Sequence, residues 1–249
     1  MAKTVLITGA SSGIGRALAL EFAARGYHLG LAARRLELLA QLREEVQTQH
    51  PDPARRIAIV ALDVDQPEAV ASTLRPLFEA LGKVDIVVVN AGVNRFTPIG
   101  RGKLAEQAQV IQTNLIGAIA TAEAAVEHFL GQGAGQLVGV SSLASLQAIP
   151  KQGAYCASKA GFSMYLDAAR IELKRKNIAV CQILPGFVLT DIVPKMDKYP
   201  FAVTAEQAAR EAVTLIEQRK AVGVVPGFPW KWLRPFFGHI PDALWRKLA

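Results

Sequence analysis

The chain has 249 residues, 51% hydrophobic and 20% charged. That is enough apolar material for a sizeable core and excludes an intrinsically disordered chain. With 28 Lys and Arg against 21 Asp and Glu, the net charge of +7 favours anionic partners (phosphorylated cofactors, nucleic acid or acidic lipid) without choosing among them. Two cysteines, Cys156 and Cys181, exclude a disulfide scaffold and fit a cytoplasmic setting. The histidines His28, His50, His128 and His239 have no metal-ligand spacing, so no metal site is expected. The opening MAKTVLITGA lacks the features of a signal peptide, and no window of about 20 uncharged apolar residues predicts a membrane span.

The first apolar run, Thr4–Thr8, leads into Gly9-Ala10-Ser11-Ser12-Gly13-Ile14-Gly15 and then a helix carrying Leu18 and Phe22 one turn apart, stopped by Gly26. His28–Ala33 follows, then a helix with Leu39, Leu42 and Val46. After Ile57–Leu62, Asp65 is positioned to cap a helix with Pro67 in its first turn, and Pro76 inside that helix predicts a kink. Val84–Asn90, Gln136–Ser141, Ile178–Leu184 and Ala221–Val225 complete the runs, and Thr204 with Gln207 resembles a capping box for the late helix. Several runs are nearly all Val, Ile, Leu and Ala, as in strands buried on both faces. Seven such units alternating with helices predict a single-domain α/β fold, a Rossmann-like doubly wound sheet of seven parallel strands flanked by helices. Residues 1–225 read as one domain, and residues 226–249 as its aromatic and basic extension.

Glycines between a buried strand and a helix permit a tight turn and bring backbone N–H groups close to an anion, and the helix N-terminus adds free donors. A pyrophosphate is the natural occupant. The spacing Gly-x3-Gly-x-Gly is neither the Gly-x-Gly-x2-Gly fingerprint nor a Walker loop. At the end of the second strand, beside the adenosine ribose in a dinucleotide fold, stand Ala33, Arg34 and Arg35. An acid there would bind a free 2′-hydroxyl, whereas arginine meets a 2′-phosphate, so NADP(H) is expected over NAD(H).

These residues resemble the short-chain dehydrogenase/reductase family over about residues 3–225. Thr8-Gly9-x3-Gly13-x-Gly15 matches its cofactor loop, which includes Ser11, Ser12 and Ile14. Leu62-Asp63-Val64 resembles the stretch that meets the adenine, and Asn90-Ala91-Gly92 the Asn-Ala-Gly turn, with Val89 where the family often has a further Asn. Asn114 stands at the helix-borne active-site Asn. Ser142 precedes Tyr155-x3-Lys159 by thirteen residues, and Pro185-Gly186 with Val188 and Thr190 matches the motif after strand six.

The resemblance implies an oxidoreductase interconverting an alcohol with a ketone or aldehyde, with NADP as acceptor. Tyr155 would serve as general acid/base and Lys159 would hold the nicotinamide ribose. Asn114 would anchor a water that connects Lys159 to solvent. A free tyrosine titrates near 10, too high for proton exchange at neutrality, and an ammonium one helical turn away lowers it. The hydroxyl of Ser142 at a strand's carboxyl edge can polarise a carbonyl oxygen. A non-enzymatic NADP(H)-sensing or scaffolding protein on the same fold is the alternative, and the presence of Ser142, Tyr155 and Lys159 favours the enzyme.

Phe96, Leu143, Leu146, Ile149, Phe187, Ile192, Val193 and Met196 predict an apolar pocket for a lipophilic carbonyl, with Asp191–Val203 as a lid. Residues 226–249 hold Trp230, Trp232 and Trp245 with Phe228, Phe236 and Phe237, interleaved with Lys231, Arg234, Arg246 and Lys247 against the one acid Asp242. That composition suits a membrane interface, a subunit interface or a cover over the pocket. No nucleic-acid partner is expected, because the basic residues are not gathered on one face. The resemblance implies a homodimer or homotetramer through helices about 104–130 and 153–176, with Ala118, Ala122 and Ala125 allowing close approach.

Overall fold

A computed structural model describes residues 2–190 and 201–238. In chain order these residues form β1 (Thr4–Thr8), α1 (Gly13–Ala24), β2 (His28–Ala33), α2 (Leu36–Gln49), β3 (Ile57–Ala61), α3 (Pro67–Leu81) and β4 (Ile86–Val89). Then come α4 (Leu104–Ile111), one π-helical turn Gln112–Ile116, α5 (Gly117–Gln132), β5 (Gly135–Val140), α6 (Gly153–Glu172) and β6 (Ile178–Pro185). The described chain ends with β7 (Val188–Leu189), β8 (Val203–Thr204), α7 (Ala205–Glu217), β9 (Val222–Val225) and the short α8 (Trp230–Leu233).

Seven strands make one sheet in the order β3-β2-β1-β4-β5-β6-β9, every pair parallel. This is the expected single-domain, doubly wound sheet of seven parallel strands, with strand limits within two residues of those read from the sequence. The pair β7–β8 forms a separate two-stranded sheet that the apolar runs did not foretell; two residues carry no periodicity.

The continuous apolar runs have a simple cause. Successive side chains of a strand point to opposite faces, and both faces here are covered. Val5 and Ile7 of β1 join a core with Leu18 and Phe22 of α1, Leu42 of α2 and Val213 of α7. Leu6 between them joins the opposite core, with Leu74 of α3, Phe129 of α5 and Phe162 of α6. Burying a Phe or Leu side chain contributes about 1.5–3 kcal/mol, so neither face tolerates polar alternation.

Local signals hold in part. Helix α1 ends as Gly26 takes φ +82° and donates to Ala23, and Thr204 Oγ1 accepts the Gln207 N–H at 3.2 Å as the cap of α7. Helix α3 runs on through Pro76. Asp65 does not cap α3, whose N-cap is Gln66. Its carboxylate instead accepts Thr113 Oγ1 at 2.6 Å and Gln109 Nε2 at 2.7 Å, tying the β3–α3 loop to α4 and the π turn. Ala118, Ala122 and Ala125 are buried in this chain's own core with Leu74, Leu77 and Phe78 of α3, so they are not available to a second subunit.

The order reverses between β1 and β4, whose strands are neighbours although not consecutive. Open parallel sheets bind ligands outside the carboxyl ends of their strands at such a switch point.

Candidate active site

The crevice lies at that point. Gly9 takes φ +66°, a left-handed turn that a side chain would strain, and a Cβ on Gly15 would lie 2.3 Å from the Gly9 carbonyl oxygen. The loop therefore closes onto the first turn of α1. Ser12, its N-cap, makes no side-chain cap, leaving the first-turn N–H groups turned to the crevice. Asn90 fastens the loop to β4: its Nδ2 donates to the Thr8 and Gly9 carbonyls at 3.0 and 3.3 Å. Thr8 Oγ1 receives the Asn90 and Ala91 N–H groups at 3.1 and 3.3 Å.

Beside the same loop, Arg35 Nη2 donates to Ser11 Oγ at 3.2 Å and Ser12 Oγ at 3.1 Å. Arg34 stands 3.9 Å from Asp65 with a largely exposed side chain. Two guanidinium groups and two hydroxyls thus border one corner beside Ala33.

Where β5 ends, three contacts pin α6 to the strand. Ser141 Oγ donates to the Lys159 carbonyl at 3.0 Å and lies 2.7 Å from Ser163 Oγ. Lys159 Nζ donates to the Val140 carbonyl at 2.9 Å. Ser142 Oγ accepts the Ala144 N–H at 3.0 Å and is hydrogen-bonded to Tyr155. Burial pushes the Tyr155 phenol above its usual value, and the bond to Ser142 opposes this. Burial lowers Lys159 to about 8. Burial therefore sets the Tyr155 phenol, with Ser142 opposing it, in place of the lowering expected from the Lys159 ammonium.

Every residue matched above to cofactor binding lines this one crevice: Gly9, Ser11, Ser12, Gly13, Ile14, Gly15, Arg34, Arg35, Asp63, Val64, Asn90, Ala91, Gly92, Tyr155, Lys159, Pro185, Gly186, Val188 and Thr190. Ser142 lines it too. Asn114 does not; fully buried in the π turn, its amide exchanges hydrogen bonds with the Val93 N–H and carbonyl, each 2.8 Å, and so braces the Asn90–Val93 turn from behind. A Cβ on Gly92 would lie 3.2 Å from Asn114 Oδ1 and 3.6 Å from Lys159 Nζ, so the two side chains converge over that glycine. Asp65, Val93, Thr113 and Ser141 also line the crevice and were not foreseen. The hydroxyl of Thr113 and the carboxylate of Asp65 come together only through the fold.

The described part of the tail divides. Trp230 turns inward against Phe187 at a ring-centroid separation of 5.2 Å and against Phe237 at 6.3 Å. Its indole edge faces Gly186 and Leu143, and Nε1 finds no hydrogen-bond partner among the described residues. Phe228, Trp232 and Phe236 face solvent. The candidate pocket residues Ile192, Val193 and Met196, the lid from 191 to 200, and Trp245, Arg246, Lys247 and Asp242 of the tail lie outside the described residues. Among the described residues no helix is long and apolar enough to cross a membrane.

The crevice fits a dinucleotide: the backbone donors of the glycine loop suit a diphosphate, and Arg34 and Arg35 border one corner. Known proteins bear on the family. A sequence model of short chain dehydrogenases matches residues 3–200. An uncharacterized oxidoreductase of Mycobacterium tuberculosis is 35% identical over 246 residues, covering 98% of this chain and 96% of that protein. The 3-oxoacyl-[acyl-carrier-protein] reductase of Homo sapiens is 34% identical over 192 residues, 77% of this chain and 78% of that one. The alcohol dehydrogenase of Thermococcus sibiricus, solved with 5-hydroxy-NADP, superposes with a TM-score of 0.80 at 27% identity, over 90% of this chain and 95% of that one. The chain belongs to the short-chain dehydrogenase family of oxidoreductases.

Proposed function

We propose that this chain is an NADP(H)-dependent oxidoreductase that interconverts a lipophilic ketone or aldehyde with its alcohol, with Tyr155 as general acid/base. The observation that carries the reading is the meeting of Ser142, Tyr155 and Lys159 in the same crevice as the glycine loop. A bound nicotinamide supplies the hydride. The chain's own residues do the rest. Ser142, its lone pair engaged by the Ala144 N–H, directs its hydroxyl toward the reacting oxygen, which polarises the carbonyl. Tyr155 donates the proton on reduction and takes it back on oxidation. Lys159 holds the ribose, and a water anchored by Asn114 connects its ammonium to solvent for the proton.

Arg34 and Arg35 select NADP(H) by meeting a 2′-phosphate, a charge-assisted and bidentate contact. The bonds from Arg35 to Ser11 and Ser12 support this by holding the guanidinium at the crevice before any ligand arrives. Similar folds have been solved with an NADP derivative and with NAD, so the choice of NADP(H) rests on Arg34 and Arg35. The free, buried thiols Cys156 and Cys181 support a reducing, cytoplasmic setting. The exposed side chains Met164 and Ile171, seven apart on one face of α6, support a homo-oligomer.

The test is NADPH oxidation against a panel of lipophilic ketones and aldehydes. Turnover that drops at least ~10²-fold in Tyr155→Phe, with NADPH affinity retained, is the expected result; turnover equal to that of the unmodified chain would overturn the assignment.

A further inference from the structure

We propose that the rim of the crevice is a docking surface for an anionic lipid bilayer. Two segments build it: the loop 95–104 after β4 and the stretch 227–238 after β9. Both follow the carboxyl ends of parallel strands, the edge at which the crevice opens. The loop 143–152 joins them into one surface. The Thr97 N–H donates to the Lys151 carbonyl at 2.7 Å on one side, and the Gly238 N–H donates to Gln147 Oε1 at 2.8 Å on the other.

On this rim Phe96, Ile99, Leu104, Phe228, Trp232 and Phe236 are each between 53% and 87% exposed. Large side chains scattered singly over a surface need no explanation, but a contiguous set marks an interaction site. The interior of the same segment is already satisfied, because Trp230 and Phe237 pack against each other and the loop beneath. Phe228 meets Phe201 edge-on at 5.9 Å, whereas the exposed rings of Trp232 and Phe236 are surplus to the fold.

The charges identify the occupant. Arg95, Arg101 and Lys103 lie in the first segment and Lys231 and Arg234 in the second, and neither contains an Asp or Glu; Lys103 is paired with Glu106 just beyond the first at 2.6 Å, which leaves four cations for a partner. A second copy of this chain docked face to face would set Arg95, Arg101, Lys231 and Arg234 against the same four cations. A protein interface would also deplete lysine at its centre. Single-stranded nucleic acid would use the aromatics, but leaves Ile99 and Leu104 without a role, since bases stack on rings. A bilayer uses all three kinds of group. Aliphatic side chains enter the acyl boundary, Trp and Phe sit at headgroup level, and Lys and Arg meet the anionic headgroups. The surface carries this inference independently of the reaction assigned to the crevice.

Flotation of the full chain with phosphatidylcholine vesicles, with and without about 30 mol% phosphatidylglycerol, tests it. Binding at least roughly tenfold stronger to the anionic vesicles, and weakening as salt rises from about 0.1 to about 0.5 M, is expected. Two variants keep their thermal midpoints, because the altered side chains are exposed, yet each loses most of the binding: Trp232→Ala with Phe236→Ala, and separately Ile99→Ser with Leu104→Ser. Absence of anionic-vesicle binding overturns the proposal, as does binding that survives in both variants. So does a drop in oligomer mass in these variants while vesicle binding is intact, which would assign the surface to a second copy. Binding of polyuridylate by a chain that ignores vesicles would assign it to nucleic acid.

Discussion

Lys159 Nζ donates to the backbone carbonyl of Val140 at 2.9 Å and stands 6.0 Å from the centre of the Tyr155 ring. The buried ammonium is thus spent on the last carbonyl of β5, and the phenol is bonded to Ser142 instead. This arrangement fixes α6 against the strand end and sets both titratable groups by burial. Withdrawal from water disfavours the charged form of each, raising the phenol and lowering the amine to about 8.

A stability difference follows with a definite sign. Lys159 titrates near 10.5 when unfolded and about 8 when folded. Between those values the unfolded chain holds a proton that the native chain has released. Stability from this residue is therefore fully present above about 10.5, falls as pH drops toward 8, and stays reduced below. Over that window the change is roughly 3 kcal/mol. Tyr155, Cys156 and Cys181 are raised by burial and act oppositely as pH rises past their ordinary values. The readout is thus the difference between the unmodified chain and Lys159→Met in urea unfolding from pH 7 to 10.5. The unmodified chain should gain on the variant steadily above pH 8; a flat difference contradicts the buried, bonded ammonium.

The cofactor corner gives a second outcome. Arg35 is bonded to Ser11 and Ser12, whereas Arg34 reaches Asp65 only at 3.9 Å and is mostly exposed. Arg35→Ala should weaken NADPH binding by about 10- to 100-fold and leave NADH nearly unchanged. Arg34→Ala should cost less, since an exposed pair contributes little. Fluorescence titration of both cofactors measures this, and an equal loss for NADH and NADPH in Arg35→Ala would remove the 2′-phosphate contact.

How much of this was legible in the sequence depends on the range of the signal. The strand-loop-helix punctuation at Gly9, Gly13 and Gly15 is local, and so are the apolar runs, because two covered faces demand them. Asn114 could be matched as a motif position, but not its setting. The helix about 104–130 contains a π turn, Gln112–Ile116, and π turns cluster at functional sites. Nothing periodic marks it. Its neighbour Gly117 could have hinted at it, since a Cβ there would lie 2.4 Å from the Val64 carbonyl, yet that contact joins residues fifty-three apart. Asp65 misled for the same reason: a carboxylate before Pro67 reads as a cap, while Thr113 and Gln109 claim it across the fold.

Two glycines separate close approach from mere flexibility. A Cβ on Gly15 would meet the Gly9 carbonyl at 2.3 Å and Asn90 Nδ2 at 2.5 Å, backbone and anchored amide that cannot both give way. Gly15→Ala should destabilise the chain by at least about 1–3 kcal/mol and depress NADPH binding further. Gly131, in the last turn of α5, meets nothing within 4 Å. Gly131→Ala should therefore stabilise by up to about 1 kcal/mol. Urea midpoints of the two variants decide the matter, and shifts in the same direction would contradict the close approach at the loop.

The outer face of α6 supplies the last expectation. Ala118, Ala122 and Ala125 cannot mediate assembly, being sealed against α3. The same helical layer nevertheless presents Met164 and Ile171, 71% and 72% exposed, seven residues apart and hence on one stripe. A thioether and a sec-butyl group left in water on a long helix are where the proposed homo-oligomer would bury its contact. Met164→Glu with Ile171→Glu places two carboxylates on that stripe, and in an isologous contact each would face its symmetry mate. Light scattering after size exclusion should then report a chain of half the mass or less, with its circular dichroism unchanged. If the mass of the unmodified chain and of this variant are the same, the stripe is not the subunit contact.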